Sequence, residues 1–290
     1  MNLPRSPYRI GVTLALVIIA ILLSWTAWRY YMVSPWTRDG RVRAEVVTVA
    51  PEVSGQVIEV RVTDNQFVKK GDVLFVINPD RFRFALDHAR ASVNAARAKM
   101  EVAHDKAERR SKLDNLSVSE EELKATRGEE DSMTSAYELA KADARIAEFD
   151  LEKTVVRSPV NGYVTNLRLR GGSYASAGTN AMAIIDSDSF WVAGYFEETK
   201  LAGIRVGSKA IIRLMGGNRD ITGMVSGISR GISDKNGETD AEGLANVDPT
   251  FTWVRLAQRI PVRIQLNEIP EDVLLAAGQT CTVIIVEPGK

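Results

Sequence analysis

Val53-Ser54-Gly55-Gln56-Val57-Ile58-Glu59-Val60-Arg61-Val62-Thr63-Asp64-Asn65-Gln66-Phe67-Val68-Lys69-Lys70-Gly71 decides the fold of this chain, because it occurs twice. Val160-Asn161-Gly162-Tyr163-Val164 repeats its opening 107 positions later (160 − 53 = 107), and the offset holds without a gap to Ile77 and Ile184. Val60 and Val62 fall on Leu167 and Leu169, Arg61 on Arg168, Phe67 on Tyr174 and Gly71 on Gly178. Both copies alternate apolar and polar residues, the period of half-buried strands. Asp64-Asn65 and Gly171-Gly172 interrupt them with residues that tolerate the positive φ of tight turns. A unit this small cannot bury a core alone, so the two copies are expected to pack together as one flattened β-sandwich.

Between the copies, Asp80 to Lys153 has no proline, a single glycine (Gly128), and much Ala, Glu, Lys and Arg. Phe82, Leu86, Ala89, Val93, Ala96, Met100, Ala103 and Ala107 step by three and four, the seam of a coiled coil. Leu123, Met133, Tyr137, Ala140, Ala144, Ala147 and Leu151 form a returning seam, interrupted by Thr126 and Glu130, so the hairpin is expected to loosen toward its tip. Leu116-Ser117-Val118-Ser119 separates the arms, and Ser119 with Glu122 reads as a capping box opening the second helix. Each arm would reach about 50 Å at 1.5 Å per residue.

Upstream, Ile10 to Trp28 is an uncharged run of 19 residues between Arg9 and Arg29. As a helix it would span about 28 Å, close to the hydrocarbon thickness of a bilayer. Trp25, Trp28, Tyr30, Tyr31 and Trp36 follow as an interfacial belt would. The run exceeds the usual core of a signal peptide and no A-x-A cleavage site follows, so an uncleaved anchor is expected. No second apolar stretch approaches spanning length, so the chain by itself forms no pathway through a membrane. Arg5 and Arg9 lie before the run, and Arg29, Arg38, Arg41 and Arg43 after it. Charge therefore does not orient the anchor.

Downstream of Asp186, strands are expected at Phe190–Phe196, Ser208–Leu214, Thr222–Ile228, Val262–Leu266 and Gln279–Val286, with a short helix over Glu197–Ile204. Their spacing suggests a small β-barrel. Ser233 to Pro249, rich in Gly, Asp and Asn, reads as an exposed loop. Trp253 to Ile264 is dense in aromatic and Arg residues and reads as the entry to the last strands.

Composition narrows the function. With 37 basic and 37 acidic residues there is no basic excess for nucleic acid. The lone cysteine, Cys281, excludes an intramolecular disulfide and a CxxC metal site. His88 and His104 stand 16 residues apart on one helix, nearly on opposite sides, which argues against a shared metal. No nucleophile–base constellation is present, so neither catalysis nor a bound cofactor is expected.

The pattern PxVSGxVxxVxVxxNxxVKKGxxLxxI resembles half of a biotinyl/lipoyl domain. In carriers of that fold the halves adjoin and an exposed lysine in the joining turn holds the cofactor. Here 80–153 stands between the halves, no Met-Lys-Met-like turn occurs, and Lys69 and Lys70 lie inside the first half. A biotin or lipoyl carrier is therefore a remote alternative. The order span, half-motif, hairpin, half-motif, barrel resembles the membrane fusion protein family of HlyD-type periplasmic adaptors. Within it, Ser34–Asp39, Val46–Gly55, Asp64-Asn65-Gln66 and Trp253–Ile264 are similar to the adaptors of p-hydroxybenzoic (aromatic carboxylic) acid efflux pumps. The last region is shared with adaptors of major-facilitator drug exporters.

The resemblance implies an α+β, multidomain protein with a cytoplasmic tail at 1–9 and a transmembrane anchor at 10–31. A split lipoyl-like domain follows at 45–79 and 154–187, around an antiparallel coiled-coil hairpin at 80–153, with a β-barrel at 188–287. It further implies a single-pass inner-membrane protein with its bulk in the periplasm, assembled as a homo-oligomer, commonly a hexameric ring. Its partners would be an inner-membrane exporter of the fusaric-acid-resistance or major-facilitator type and a TolC-like outer-membrane channel. The contact residues implied at the hairpin tip are Arg109, Leu113 and Ser119, the last falling one residue early against the family pattern.

Overall fold

The computed structural model describes residues 7–28, 35–112, 119–217, 219–232, 257–270 and 273–286. The chain divides into two compact units, residues 46–188 and residues 1–45 with 189–290.

The first unit holds the repeat. Copy one supplies β2 (Val46–Val49), β3 (Gly55–Val60), β4 (Phe67–Val68) and β5 (Val73–Ile77); copy two supplies β6 (Val155–Arg157), β7 (Gly162–Thr165), β8 (Tyr174–Ala175) and β9 (Met182–Asp186). They form two four-stranded sheets, β2-β9-β7-β4 and β6-β5-β3-β8. Exchanging each strand for its counterpart in the other copy converts one order into the other. Each sheet takes two strands from each copy, so neither copy completes a sheet alone. The crossing bonds obey the same offset. Asn65 N–H donates to the Val164 carbonyl at 2.8 Å, and Gly172 N–H to that of Val57 at 2.8 Å. Asn65 (φ 63°) and Gly172 (φ 89°) both adopt the left-handed conformation expected at these turns. Val57, Val164, Ile77 and Ile184 are fully buried between the sheets.

The hairpin leaves β5 and returns to β6. It comprises α2 (Asp80–Ser111, 32 residues) and α3 (Glu120–Glu152, 33 residues), each about 50 Å long. Phe82 and Leu86 at its base are buried, as are Ala103 and Ala107 farther out.

The second unit contains a closed barrel, β1-β10-β13-β12-β11-β14. Five strands come from the C-terminal part: β10 (Trp191–Glu197), β11 (Lys209–Leu214), β12 (Asp220–Ile228), β13 (Arg259–Leu266) and β14 (Thr280–Val286). The short helix expected over Glu197–Ile204 is present as a 3₁₀ helix, Glu198–Gly203. The sixth strand, β1 (Trp36–Arg43), comes from before the repeat. This extends the barrel expected at 188–287 and moves Trp36 from an interfacial belt into a strand. β1 reads as polar because Arg38, Arg41 and Arg43 face solvent, while Gly40 and Val42 face the interior, where room at Gly40 is short. A Cβ at Gly40 would lie 2.7 Å from the Cys281 sulfur, and Gly40 faces Gly194 across the β1–β10 ladder. The interior is filled by Val42, Phe196, Ile212, Ile264 and Val283, as small barrels require.

N-terminal to the barrel, α1 (Pro7–Trp28) is helical, and its side chains from 11 to 26 are exposed. No helix among the described residues is long and apolar enough to cross a membrane. The loop expected at Ser233–Pro249 lies outside the described residues.

Candidate functional site

The apolar seam of α2 continues to Ala103 and Ala107. Toward the distal end side-chain pairs joining the two helices flank it. His104 Nδ1 lies 2.6 Å from Glu130 Oε1, and Lys106 Nζ lies 2.6 Å from Glu129 Oε2. Arg110 Nη1 reaches Glu122 Oε1 at 2.9 Å and donates to Thr126 Oγ1 at 3.0 Å. Thr126 is 2% exposed, the one buried residue of α3, and donates its hydroxyl to the Glu122 carbonyl at 2.8 Å. Its hydroxyl therefore accepts once and donates once, so burying it leaves no orphaned polar group. At Thr126 and Glu130, where the returning seam is interrupted, polar pairs stand in place of apolar contacts.

Electrostatics follow this geometry. The hydrogen bond to Glu130 raises the His104 pKa, helped by the charge of Glu130 and, more weakly, of Glu108 and Asp105. Lys112, bonded to Glu108 at 2.6 Å, holds that carboxyl below its ordinary range.

The tip residues fare differently from one another. Arg109 is exposed near the end of α2, its Nε donating to the Asp105 carbonyl at 3.1 Å. Ser119 caps α3, its Oγ accepting from the Glu122 N–H at 3.2 Å. Half of the capping box is thus formed, while the Glu122 carboxylate turns to Arg110. Leu113 lies outside the described residues. No described bond joins Arg109 to Ser119. Sequence reasoning missed Arg110 and Thr126, although their positions facing each other across the antiparallel arms could have suggested the pair.

Chemical functionality elsewhere is sparse. His88 is exposed on the same helix as His104. Among the described residues, no group of three or more His, Cys, Asp or Glu could hold a metal. Cys281 is buried in the barrel, and desolvation raises its thiol pKa to about 11, which keeps it protonated and inert. Lys69 and Lys70 sit within the first copy, the Lys70 N–H bonding Asn161 Oδ1 at 3.0 Å, whereas the hairpin fills the place where a carrier would hold its lysine turn.

Residues 45–187 match the family described as RND MFP, barrel-sandwich hybrid domain, and residues 189–286 match the AAEA-like beta-barrel domain. An uncharacterized protein of Escherichia coli K12, YdhJ, is 42% identical over 273 residues, covering 94% of this chain and 96% of the relative. Among solved structures, MacA from Actinobacillus actinomycetemcomitans aligns with a TM-score of 0.63 at 20% identity, over 87% of this chain and 79% of MacA. The membrane fusion protein Spr0693 from Streptococcus pneumoniae R6 aligns with a TM-score of 0.62 at 19% identity, over 88% of this chain and 100% of Spr0693. At these identities the two structures establish a shared fold.

Proposed function

Because this chain belongs to the membrane fusion protein family, the RND-type periplasmic adaptors, whose members are non-enzymatic linkers, we propose that it is the adaptor subunit of a tripartite efflux pump. In this reading it joins an inner-membrane exporter to a TolC-like outer-membrane channel and does no chemistry. One observation carries the proposal: a hairpin of about 50 Å leaves and re-enters a β-unit whose halves interlock, which fixes the reach of the tip. α1 is the anchor in this proposal. It has 22 residues, its side chains from 11 to 26 are exposed and mostly apolar, and no charged residue follows Arg9 within it.

The finer assignments belong to the same proposal. The similarity of Ser34–Asp39 and Trp253–Ile264 to adaptors of aromatic carboxylic acid pumps favours that cargo and a fusaric-acid-resistance-type exporter, with six copies in a ring. A major-facilitator multidrug pump is the second reading, favoured by the Trp253–Ile264 region that its adaptors share. Co-purification identifies which exporter accompanies the chain.

The tip contacts are assigned to Arg109, Leu113 and Ser119. Replacing all three with alanine should abolish site-specific crosslinking of the tip to a TolC-like channel and raise sensitivity to aromatic acids. Helix content by circular dichroism separates lost contact from unfolding. Undiminished crosslinking and export in a folded triple variant would remove the tip from the mechanism.

A further inference from the structure

One mouth of the barrel carries a cationic cavity that the adaptor reading leaves unused. Strand pairing brings the start of β1, the end of β10 and the start of β13 together: Gly40 faces Gly194, and Glu197 faces Arg259. The cavity there is about 320 Å³, and its lining includes Trp36, Arg38, Asp39, Tyr195, Lys200 and Arg259. Lys200 Nζ stands 5.1 Å and Arg38 Cζ 5.5 Å from the centre of the Trp36 ring.

Its charges do not balance internally. Asp39 is held by Arg259 at 2.6 Å, with Arg41 at 4.0 Å on its other oxygen. The side chain of Lys200 is only 12% exposed, yet its carboxylate, on Glu197, lies 3.8 Å away, beyond hydrogen-bond length. A largely buried ammonium requires close anionic partners. Lys200 instead rests against the Trp36 indole, the ring that Arg38 also faces, and both cations line the same cavity. Within the cavity lining three cations, Arg38, Lys200 and Arg259, meet two carboxylates, Asp39 and Glu197, which leaves room for one more negative charge.

The position of this mouth identifies the source of that anion. From Trp28, the last residue of α1, to Pro35 the chain can extend no more than about 25 Å. The mouth is therefore tethered near whatever surface holds α1. Val206, 66% exposed, precedes β11, and Val286, 42% exposed, ends β14; the pairing of Lys209 with Val286 sets both at this same mouth. Indole, cations and exposed aliphatic side chains together suit the headgroup layer of a membrane. We propose that the cavity between Trp36, Arg38 and Lys200 binds the phosphate of an anionic phospholipid headgroup in the bilayer that holds α1. This rests on the anchor reading for its choice of lipid over a soluble anion.

The test uses the full chain in a neutral detergent, titrated separately with short-chain phosphatidylglycerol, short-chain phosphatidylcholine and inorganic phosphate. Phosphatidylglycerol should bind about tenfold more tightly than either comparator, and Lys200→Gln should remove about that factor, the worth of one charge-assisted hydrogen bond. Arg38→Gln, at an exposed position, should weaken binding in the same direction and serves if the Lys200 variant does not fold. Equal affinity for the two lipids, equal affinity for free phosphate, or unchanged binding in both variants overturns the proposal. Alkaline extraction of membranes containing the wild-type chain tests the anchor separately: release of the chain would defeat the anchor, while lipid selectivity in detergent still reports on the cavity.

Discussion

Two pairs of matched elements build the first unit, and they are held together by different means. The two copies of the β-repeat are interlocked through the backbone, each lending strands to both sheets. The two arms of the hairpin meet only through side chains, with buried apolar residues from Phe82 out to Ala107 and ion pairs from Arg90–Glu148 to Arg110–Glu122 that crowd toward the tip. A backbone-paired assembly cannot slide without breaking whole ladders, and a one-residue slip would turn its core face to solvent. A side-chain zipper can shift its register or open at one end for a far smaller cost. The copies therefore make a fixed base, and the arms make a reach whose distal end is adjustable.

The sharpest way to break this contrast is to attack the base symmetrically. Ile77 and Ile184 occupy equivalent positions and are both fully buried. Ile77→Ala and Ile184→Ala should each destabilise the first unit by about 2–5 kcal/mol, the usual cost of such a truncation. The two losses should agree closely, because each residue lies in the core that both copies share. Chemical denaturation followed by circular dichroism measures both. A large loss for one variant beside a negligible loss for the other would mean that the copies contribute unequal cores.

Much of this base was legible in the sequence. Period-2 alternation, the turn pairs at Asn65 and Gly172, and the constant offset all follow from local chemistry that a strand or turn imposes on its own residues. The interlocking of the copies was not legible, because strand order depends on partners far away in the chain. β1 escaped for a related reason. Trp36-Thr37-Arg38-Asp39-Gly40-Arg41-Val42-Arg43 looks like a polar connection, and only the crowding of Cys281 against Gly40 explains why a small residue sits in a barrel strand. At the hairpin tip, Ser119 announced its cap through composition, whereas the burial of Thr126 required Arg110 from the opposite arm.

The zipper should answer with smaller effects. Thr126→Val preserves shape and removes the hydroxyl, so Arg110 loses one acceptor and keeps Glu122. The expected loss is about 1 kcal/mol, the net worth of an ordinary hydrogen bond. It should appear as faster amide exchange in the distal turns of α2 and α3, with exchange in β3 and β7 unchanged. Equal acceleration in the β-sheets would show that the hairpin and its base open as one unit and that the contrast between them is false.

The smallest effect concerns pH and tests whether the distal end is adjustable in use. His104 faces Glu130 on α3 and has Asp105 and Glu108 on its own helix, all acidic, and its pKa is raised mainly by the bond to Glu130. Folding raises this value above that of the unfolded chain, near 6.5. The pair's contribution is therefore complete below about pH 6.5 and is lost as pH rises through the folded value. Distal amide protection, taken relative to the base-catalysed intrinsic exchange rate, should fall across that window, and Glu130→Gln should flatten the dependence and return the His104 titration, followed by NMR, toward its ordinary position. The site is open to solvent and salt screens it, so the change should be confined to the last turns of the arms. A pH response that survives Glu130→Gln would assign the adjustment to another group and leave the His104 pair as a static clasp.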